Sequence, residues 1–229
     1  IIGPNCQGIY CPSSKLTIFP GLPKESGNVA FISQSGSLAT MLVLVGALKG
    51  IRFSKVISFG NGCDLNIADF LEYLWKDPET KIITAYIEGI KDGWKFLKLA
   101  REASKTKPII VWRGGVTDAG AKAAESHTGA LAVPNAMWKA FSKQCGIINT
   151  NSVEELFDCL LAFLHLPIPK GRNVAVISGP GGPAVTAADA CAEMGLKLAQ
   201  LSEETQKMIS SIIPPIGTST KNPVDLGMG

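Results

Sequence analysis

One of the two histidines in the chain, His127, lies within a run of small residues from Ala123 to Ala132, which reads Ala-Ala-Glu-Ser-His-Thr-Gly-Ala-Leu-Ala. Near neutral pH an uncharged imidazole is a good nucleophile toward phosphoryl groups, and the phosphoramidate that forms can pass its phosphoryl group onward. Small neighbours let the backbone approach a substrate closely and let the segment change conformation. We therefore predict that His127 is a transiently phosphorylated catalytic residue on a long loop between Gly114 and Pro134.

The second histidine, His165, gives no comparable signal. It closes an apolar helical segment directly before the proline-rich stretch from Leu166 to Gly171. A histidine in the last turn of a helix interacts favourably with the negative end of the helix dipole. We therefore predict a structural role for His165.

A phosphohistidine needs support from two kinds of group. One is an acceptor for the N–H of the other ring nitrogen, and the other is a set of N–H donors for the phosphate. Glu88 follows Tyr86-Ile87 at the carboxyl end of a predicted strand and is our candidate for the acceptor. A solvated carboxylate at the end of a strand is the alternative interpretation of Glu88.

Two parts of the chain begin with nearly the same strand sequence. Asn28 to Ser33 reads Asn-Val-Ala-Phe-Ile-Ser and Asn173 to Ser178 reads Asn-Val-Ala-Val-Ile-Ser, and a small-residue turn and an apolar helical segment follow each. Backbone N–H groups at a helix N-terminus bind anions. We predict phosphate binding by these turns and by the residues beside His127, namely Ser35, Gly36, Ser37, Thr128, Gly129, Gly181 and Gly182. A purely structural turn stays open, because any α/β domain must reverse its chain after the first strand.

The second turn also fits the dinucleotide fingerprint G-x-G-x-x-A, from Gly179 to Ala184. That fingerprint should be followed by an acidic residue about 20 positions on, at the end of the next strand. Glu203 and Glu204 instead begin a predicted helix. The sequence therefore disfavours a nicotinamide- or flavin-dependent oxidoreductase.

The elements that position these residues alternate between strands and helices. Short β-branched runs predict strands at Asn28–Ser33, Lys55–Gly60, Ile82–Glu88, Pro108–Trp112 and Gly146–Thr150. Helical periodicity and capping residues predict helices at Ser35–Lys49, Ile67–Lys76, Gly93–Lys105, Asn135–Cys145 and Val153–Leu164. This alternation predicts an α/β, doubly wound parallel sheet of flavodoxin-like or Rossmann-like type, with ligands at the carboxyl ends of the strands.

A second domain of the same class is predicted after the proline-rich stretch. Prolines at this density exclude helix and inner strand, so we place the first domain at residues 1–168 and the second at 169–229. The second domain is predicted to contain strands at Asn173–Ser178 and Leu196–Leu201 and helices at Gly182–Met194 and Glu203–Ile212. We expect this second flavodoxin-like domain to be incomplete, and the chain to be a fragment.

Composition narrows the class of protein. Hydrophobic residues make up 46% of the 229 residues and the net charge is only +3, without basic runs, which argues against nucleic acid as a partner. The longest apolar stretch, Leu38 to Leu48, is too short to cross a membrane. The six cysteines form no CxxC pair, and no histidine stands at a metal-ligand spacing, so we predict no metal site and a reducing, cytoplasmic location.

Several ordered motifs together resemble the nucleoside-diphosphate-forming acyl-CoA synthetases, a superfamily that includes succinyl-CoA synthetase. The resemblance spans nearly the whole chain and looks nearest to the ADP-forming acetate-CoA ligase branch. The motifs that carry it are Gly3-Pro4-Asn5-Cys6-Gln7-Gly8, Ser33-Gln34-Ser35-Gly36-Ser37, Gly60-Asn61-Gly62-Cys63-Asp64, Asp77-Pro78-Glu79-Thr80, Glu88-Gly89 and Ser126-His127-Thr128-Gly129-Ala130.

The resemblance implies a reversible three-step reaction in which acyl-CoA and phosphate give an acyl phosphate, and the phosphoryl group then moves to His127 and on to ADP or GDP. It implies that Glu88 pairs with His127, that the helices at Ser35 and Gly181 face the phosphate, and that Asn5 and Asn61 lie near the acyl-CoA. Members of the acetate branch often carry a lysine after the Gly-Asn pair. This chain has Gly62 there, which leaves the acid substrate open.

The resemblance also implies partners outside this chain. Coenzyme A and ATP or ADP with Mg²⁺ would be bound by a CoA-binding domain and an ATP-grasp domain or subunit, within an oligomeric enzyme. The alternative is a non-catalytic regulatory module, as in protein acetyltransferases whose synthetase-like region has lost the histidine. The presence of His127 argues against that alternative.

Overall fold

The computed structural model describes residues 1–17, 20–128 and 133–227, with the backbone alone described for residues 125–128. The chain divides into two compact units, Ile1–Leu166 and Pro167–Gly229. The first unit carries most of the predicted site residues, and the second carries the turn at Gly181.

A six-stranded sheet forms the centre of the first unit. Its strands are β1 (Gly8–Tyr10), β2 (Val29–Ser33), β3 (Phe53–Ser58), β4 (Ile82–Ile87), β5 (Ile109–Arg113) and β6 (Ile148–Thr150). The spatial order is β1-β3-β2-β4-β5-β6. Strands β2 to β6 pair in parallel, whereas β1 pairs antiparallel with β3. The five parallel strands therefore have the flavodoxin order, and the predicted fold class is confirmed, with an antiparallel edge strand that the sequence did not predict.

Six α-helices accompany the described part of this sheet. They are α1 (Gly36–Leu48), α2 (Ile67–Lys76), α3 (Gly93–Ala103), α4 (Asp118–Thr128), α5 (Asn135–Cys145) and α6 (Val153–His165). One buried core lies under α2, α3 and α5 and includes Phe96 and Trp138. The other lies under α1 and α6 and includes Leu42 and Phe157. Apolar side chains thus cover both faces of the sheet, as a doubly wound fold requires.

Side-chain caps fix where several helices begin. Ser35 Oγ accepts a hydrogen bond from the amide of Leu38, and Asn66 forms a capping box with Asp69 at the start of α2. Ser152 caps α6 in the same way. Such caps satisfy amides that have no partner within the helix.

The predicted loop from Gly114 to Pro134 is wrong in part, because α4 covers Asp118–Thr128. Four alanines in its first seven residues explain the helix, since alanine has the highest helix propensity. His127 therefore belongs to the last turn of a helix rather than to an irregular loop.

The second unit contains two small parallel pairs of strands. β7 (Asn173–Val174) pairs with β9 (Lys197–Leu198), and β8 (Ile177–Ser178) pairs with β10 (Val224–Asp225). Helices α7 (Gly181–Glu193) and α8 (Glu203–Ser210) lie between these strands in the sequence.

The single strand predicted at Asn173–Ser178 is wrong, because the Asn222 side chain interrupts it. The amide of Val176 donates to Asn222 Oδ1 at 2.9 Å, and Asn222 Nδ2 donates to the carbonyls of Val174 and Ala199 at 2.7 Å and 2.9 Å. The carboxamide thus takes backbone partners that a continuous ladder would otherwise use.

The Asp-Pro-Glu-Thr motif lies at the amino-terminal side of the sheet. Lys55 of β3 is nearly buried and forms ion pairs with Asp77 at 2.9 Å and Glu79 at 2.7 Å. Thr80 donates to Asp77 at 2.6 Å and also contacts Ser54 at 2.8 Å. Asp77 precedes β4, whereas the predicted catalytic residues follow the strands, so this motif acts on stability.

Candidate active site

The predicted site residues of the first unit follow neighbouring strands at one edge of the sheet. Ser35 comes after β2, Glu88 after β4 and Asn61 after β3, and these strands are adjacent in the sheet. The helix after β2 lies on one face and the helix after β4 on the other. Where the connections after two neighbouring strands leave to opposite faces of the sheet, a crevice opens at the carboxyl ends of the strands. Open α/β sheets bind ligands in this crevice, which is called the switch point.

Glu88 is held in this crevice by two hydrogen bonds of its own and one from the next residue, Gly89, and one of its carboxylate oxygens has no partner among the described residues. Its residue surface is 8% exposed. Glu88 Oε1 accepts from the Tyr86 hydroxyl at 3.1 Å, and the amides of Glu88 and Gly89 both donate to Gln34 Oε1. Glu88 Oε2 is buried and has no hydrogen-bond partner among the described residues. A buried acceptor of this kind is costly unless something donates to it, which points to a donor outside the described side chains.

Tyr86 acts as a permanent donor to Glu88. Burial and the neighbouring Glu88 carboxylate raise the pKa of the Tyr86 hydroxyl far above its ordinary value. The hydroxyl therefore keeps its proton across the physiological range and fixes one carboxylate oxygen. The other oxygen is left for a second donor.

Gln34 connects the carboxylate to the first helix, a role that the sequence reasoning missed. It lies between β2 and the cap of α1 and is 7% exposed. Its side chain accepts from two amides beyond β4, and its own amide donates to the Tyr86 carbonyl at 3.2 Å. Its place in the Ser-Gln-Ser-Gly-Ser motif was the available signal.

Gly114, directly after β5, leaves room for this arrangement. A Cβ at Gly114 would come within 2.5 Å of the Tyr86 hydroxyl oxygen and 3.2 Å of Glu88 Cγ. Any side chain at Gly114 would therefore displace the Tyr86 hydroxyl and the Glu88 side chain from their hydrogen-bonded positions.

Three residues predicted to bind phosphate, Ser35, Gly36 and Ser37, lie at the N-terminus of α1. The Ser33 hydroxyl donates to the Ser35 carbonyl at 2.7 Å and accepts from the Ser35 amide at 3.1 Å, which fixes the turn. Ser35 Oγ and Ser37 Oγ lie 3.3 Å apart. A Cβ at Gly36 would lie 2.8 Å from Gln7 Cγ, so glycine permits the close approach of Gln7.

Asn5 and Asn61 meet at the neighbouring part of the same edge. Asn5 Nδ2 lies 3.4 Å from Asn61 Oδ1, and Asn5 has a positive φ of 55°. Lys91, from the chain beyond β4, donates to the Gly62 carbonyl at 3.0 Å. An ammonium group therefore lies beside Gly62, a contact that the sequence reasoning missed.

Other predicted phosphate-binding residues lie outside these contacts. The side chains of His127 and Thr128, and all of Gly129, fall outside the described part of the chain. Gly181 and Gly182 begin α7 in the second unit, and its N-cap, Pro180, makes no capping bond through its side chain. A Cβ at Gly181 would lie 2.8 Å from Asp225 Oδ2, so a carboxylate already faces this helix end.

No cluster of three or more histidine, cysteine, aspartate or glutamate side chains suitable for a metal occurs among the described residues. Within the same described ranges, no helix is long and apolar enough to cross a membrane.

Comparison with known proteins identifies the family of this fold. Residues 26–163 match the succinyl-CoA ligase-like flavodoxin domain, and residues 174–229 match the ligase-CoA domain. The chain belongs to the succinyl-CoA ligase-like family. Its first match covers β2 to α6 and therefore includes the turn at Ser35, Glu88 and His127.

The family contains similar proteins of named activity. The chain is 44% identical over 226 residues to the alpha subunit of ADP-forming acetate-CoA ligase II of Pyrococcus furiosus, covering 99% of this chain and 49% of that protein. It is 38% identical to ADP-forming 4-hydroxybutyrate-CoA ligase of Nitrosopumilus maritimus, covering 99% of this chain and 33% of that protein. The chain thus spans about half, or a third, of the length of these curated relatives.

A solved structure shares the fold closely. It is the dinucleotide-forming acetyl-coenzyme A synthetase 1 of Ca. Korarchaeum cryptofilum, in complex with phosphate and ADP. The TM-score is 0.91 at 39% identity, with 99% of this chain and 49% of that chain covered.

Proposed function

We propose that this chain is the alpha part of an NDP-forming acid-CoA ligase, and that Glu88 orients His127 for phosphoryl transfer. The observation that carries the proposal is the buried, unpartnered Oε2 of Glu88, which follows β4 at the switch point and whose backbone is hydrogen-bonded to Gln34 in the turn before α1. A neutral imidazole N–H supplies the donor that this oxygen lacks.

The proposed reaction has three reversible steps. Phosphate attacks the thioester of acyl-CoA, giving acyl phosphate and free CoA thiol. The unprotonated ring nitrogen of His127 then attacks phosphorus, and the carboxylate leaves. ADP or GDP finally takes the phosphoryl group, which gives the nucleoside triphosphate and restores the imidazole.

The residues of this chain orient the groups and stabilise charge in the second step. Glu88 accepts the N–H of the ring nitrogen that does not attack, which fixes the tautomer and stabilises the charge that develops on the ring. The amides at Ser35, Gly36 and Ser37 offer donors to the phosphoryl oxygens, aided by the dipole of α1. We assign Thr128, Gly129, Gly181 and Gly182 to the same phosphate path.

The acyl-CoA would bind near Asn5 and Asn61, whose carboxamides are close together at the same sheet edge. Named relatives act on acetate and on 4-hydroxybutyrate, so we propose a small carboxylic acid as the substrate. The nucleotide, Mg²⁺ and most of the CoA would contact an ATP-grasp part and a CoA-binding part outside this chain.

We further propose that the complete enzyme is oligomeric and located in the cytoplasm. Within this chain, we propose that one domain comprises residues 1–168 and the other residues 169–229.

The first prediction tests the phosphohistidine. The full-length protein, incubated with γ-labelled ATP and Mg²⁺, should gain an acid-labile, base-stable phosphate. His127→Ala should abolish the label, because it removes the nucleophile. His165→Ala is the matched control and should keep the label, since this histidine is exposed at the end of α6.

If the wild-type protein gained no label after this incubation, the result would contradict the proposal and favour a regulatory synthetase-like module. Label that persists in His127→Ala would place the phosphate on another residue. Steady-state assays against a panel of carboxylic acids would then identify the substrate of an active enzyme.

A further inference from the structure

Arg113 is a second buried charge at the candidate site, and the proposed reaction has not used it. Arg113 is the last residue of β5 and lies opposite Ile87 of the neighbouring strand β4. Glu88 is the next residue after Ile87. Its residue surface is 7% exposed. Burial lowers the pKa of Arg113 from its ordinary value, yet a guanidinium stays protonated in proteins. A charge kept at this depth needs compensating contacts.

Two contacts hold the guanidinium in place. Nη2 donates to the Val133 carbonyl, and the guanidinium carbon lies 5.7 Å from the centre of the Trp138 ring. Trp138 is itself fixed, because its indole N–H donates to Asn149 at 2.7 Å. Val133 is the sixth residue after His127, so Arg113 ties the chain that follows the histidine to the sheet edge beside Glu88.

The remaining amino group of Arg113 has no such contact. Nη1 is buried and has no hydrogen-bond partner among the described residues. Glu88 and Arg113 line one small cavity, together with Val133 and Trp138, and they do not form an ion pair with each other. An unpartnered carboxylate oxygen and an unpartnered guanidinium N–H therefore share one cavity. Each of the two buried groups therefore still needs a polar partner at this cavity.

We propose that Arg113 is a positioning residue for the phosphotransfer step. Its Nη2 anchors the chain at Val133, six residues after His127, and its Nη1 lies at the cavity that Arg113 shares with Glu88. This inference rests on the proposed function, because it assigns Arg113 to the step in which the histidine is phosphorylated.

Kinetics of the separate steps test the inference in the full-length protein. Arg113→Gln should lower the rate at which acyl phosphate phosphorylates His127 by about 100-fold, the order of loss expected from a misplacement of about 1 Å. The exchange of acyl-CoA with phosphate precedes the histidine and should stay within threefold of wild type, as should the KM for CoA. Arg113→Lys keeps the charge but loses the two-pronged geometry, so it should recover about tenfold of the lost rate.

Arg101→Gln is the matched control, because it makes the same chemical change on the exposed side of α3 and should alter neither step. Equal loss of both steps in Arg113→Gln, or no recovery in Arg113→Lys at unchanged melting temperature, would show a merely structural residue. A wild-type rate of phosphorylation in Arg113→Gln would also overturn the inference. Failure of the proposed function is distinguishable, since it would leave the wild-type protein itself without phosphohistidine.

Discussion

At the scale of single residues, the candidate site depends on a carboxylate whose two oxygens have different surroundings. One oxygen of Glu88 accepts from a tyrosine that does not lose its proton, while the other is left without a donor. Fixing one oxygen restricts the rotation of the carboxylate and aims the other. This orientation of the second oxygen requires both the hydrogen bond from Tyr86 and the absence of a side chain at Gly114.

The steric role of Gly114 gives a second prediction. Gly114→Ala should lower the rate of His127 phosphorylation by about tenfold or more, because the new methyl group would move the Tyr86 hydroxyl and Glu88. Gly93→Ala is the control, since a Cβ there meets no atom within 4 Å. Transient kinetics of phosphorylation would check both variants, and an unimpaired Gly114→Ala protein would show that the crevice yields to a methyl group.

These residue contacts could be foreseen only in part. Glu88 and the serine turn were predicted because strand ends and helix starts can be located from local patterns. The roles of Gln34, Arg113, Tyr86 and Lys91 depend on which strands become neighbours, and nothing in the local sequence gives the strand order. Gln34 illustrates this, since its partners are 54 and 55 residues away in the chain.

At the scale of elements, α1 is the helix that we expect to carry the phosphate charge. Its cap, Ser35, uses its side chain to satisfy the Leu38 amide and leaves the other first-turn amides for a ligand. A cap contributes to stability wherever it occurs. Of the serine caps Ser35 and Ser152, Ser35 lies at the switch point.

The third prediction separates the contribution of a helix cap to stability from its contribution to phosphate binding. Ser35→Ala and Ser152→Ala should each lower the free energy of unfolding by about 1 kcal/mol, because each removes one capping bond. Only Ser35→Ala should also lower the yield of phosphohistidine. Denaturant titration and labelling on the same samples would measure both effects, and equal yields in the two variants would remove α1 from the phosphate site.

The elements themselves were largely predictable, and the exceptions have physical causes. Flanking glycines predict a loop at the position of α4, but the alanines within it favour the helix that forms. Strand β1 has three residues and pairs with β3 about 50 positions away, so its short sequence carries no periodic signal. The break after Val174 is caused by Asn222, a side chain far along the sequence.

At the scale of the whole molecule, the two edges of the sheet have different roles. The predicted ligand-binding groups follow the strands at one edge, while an ion cluster of nearly buried Lys55 and Asp77 with the exposed Glu79 lies toward the other. Burial alone would raise the pKa of Asp77, but hydrogen bonds from Thr80 and Lys55 outweigh it, so the pKa lies below its ordinary value.

The fourth prediction concerns acid stability. Asp77→Asn should lower the free energy of unfolding at pH 7 by about 3 kcal/mol, because it leaves Lys55 short of a buried partner. A lowered carboxyl pKa contributes stability that is present above the ordinary pKa and is lost as the pH falls through the folded value. The difference between wild type and variant should therefore shrink below about pH 4.

An exposed pair provides the comparison for this prediction. Glu72→Gln removes the partner of Lys76 at the surface of α2 and should change stability little, since exposed ion pairs contribute little. Thermal or urea unfolding between pH 3 and 8 would check both variants. A constant difference between Asp77→Asn and wild type across that range would contradict the assignment.

The carboxamide of Gln34 has a mechanical consequence. Because it joins the turn before α1 to two successive amides beyond β4, the helix end and the carboxylate form a single stiff body. A push that reaches α1 from a neighbouring domain would carry Glu88 along with it, without altering the spacing between them. The α1 end and Glu88 can therefore move together while the distance between them is kept, which would favour repeated phosphoryl transfer in the proposed reaction.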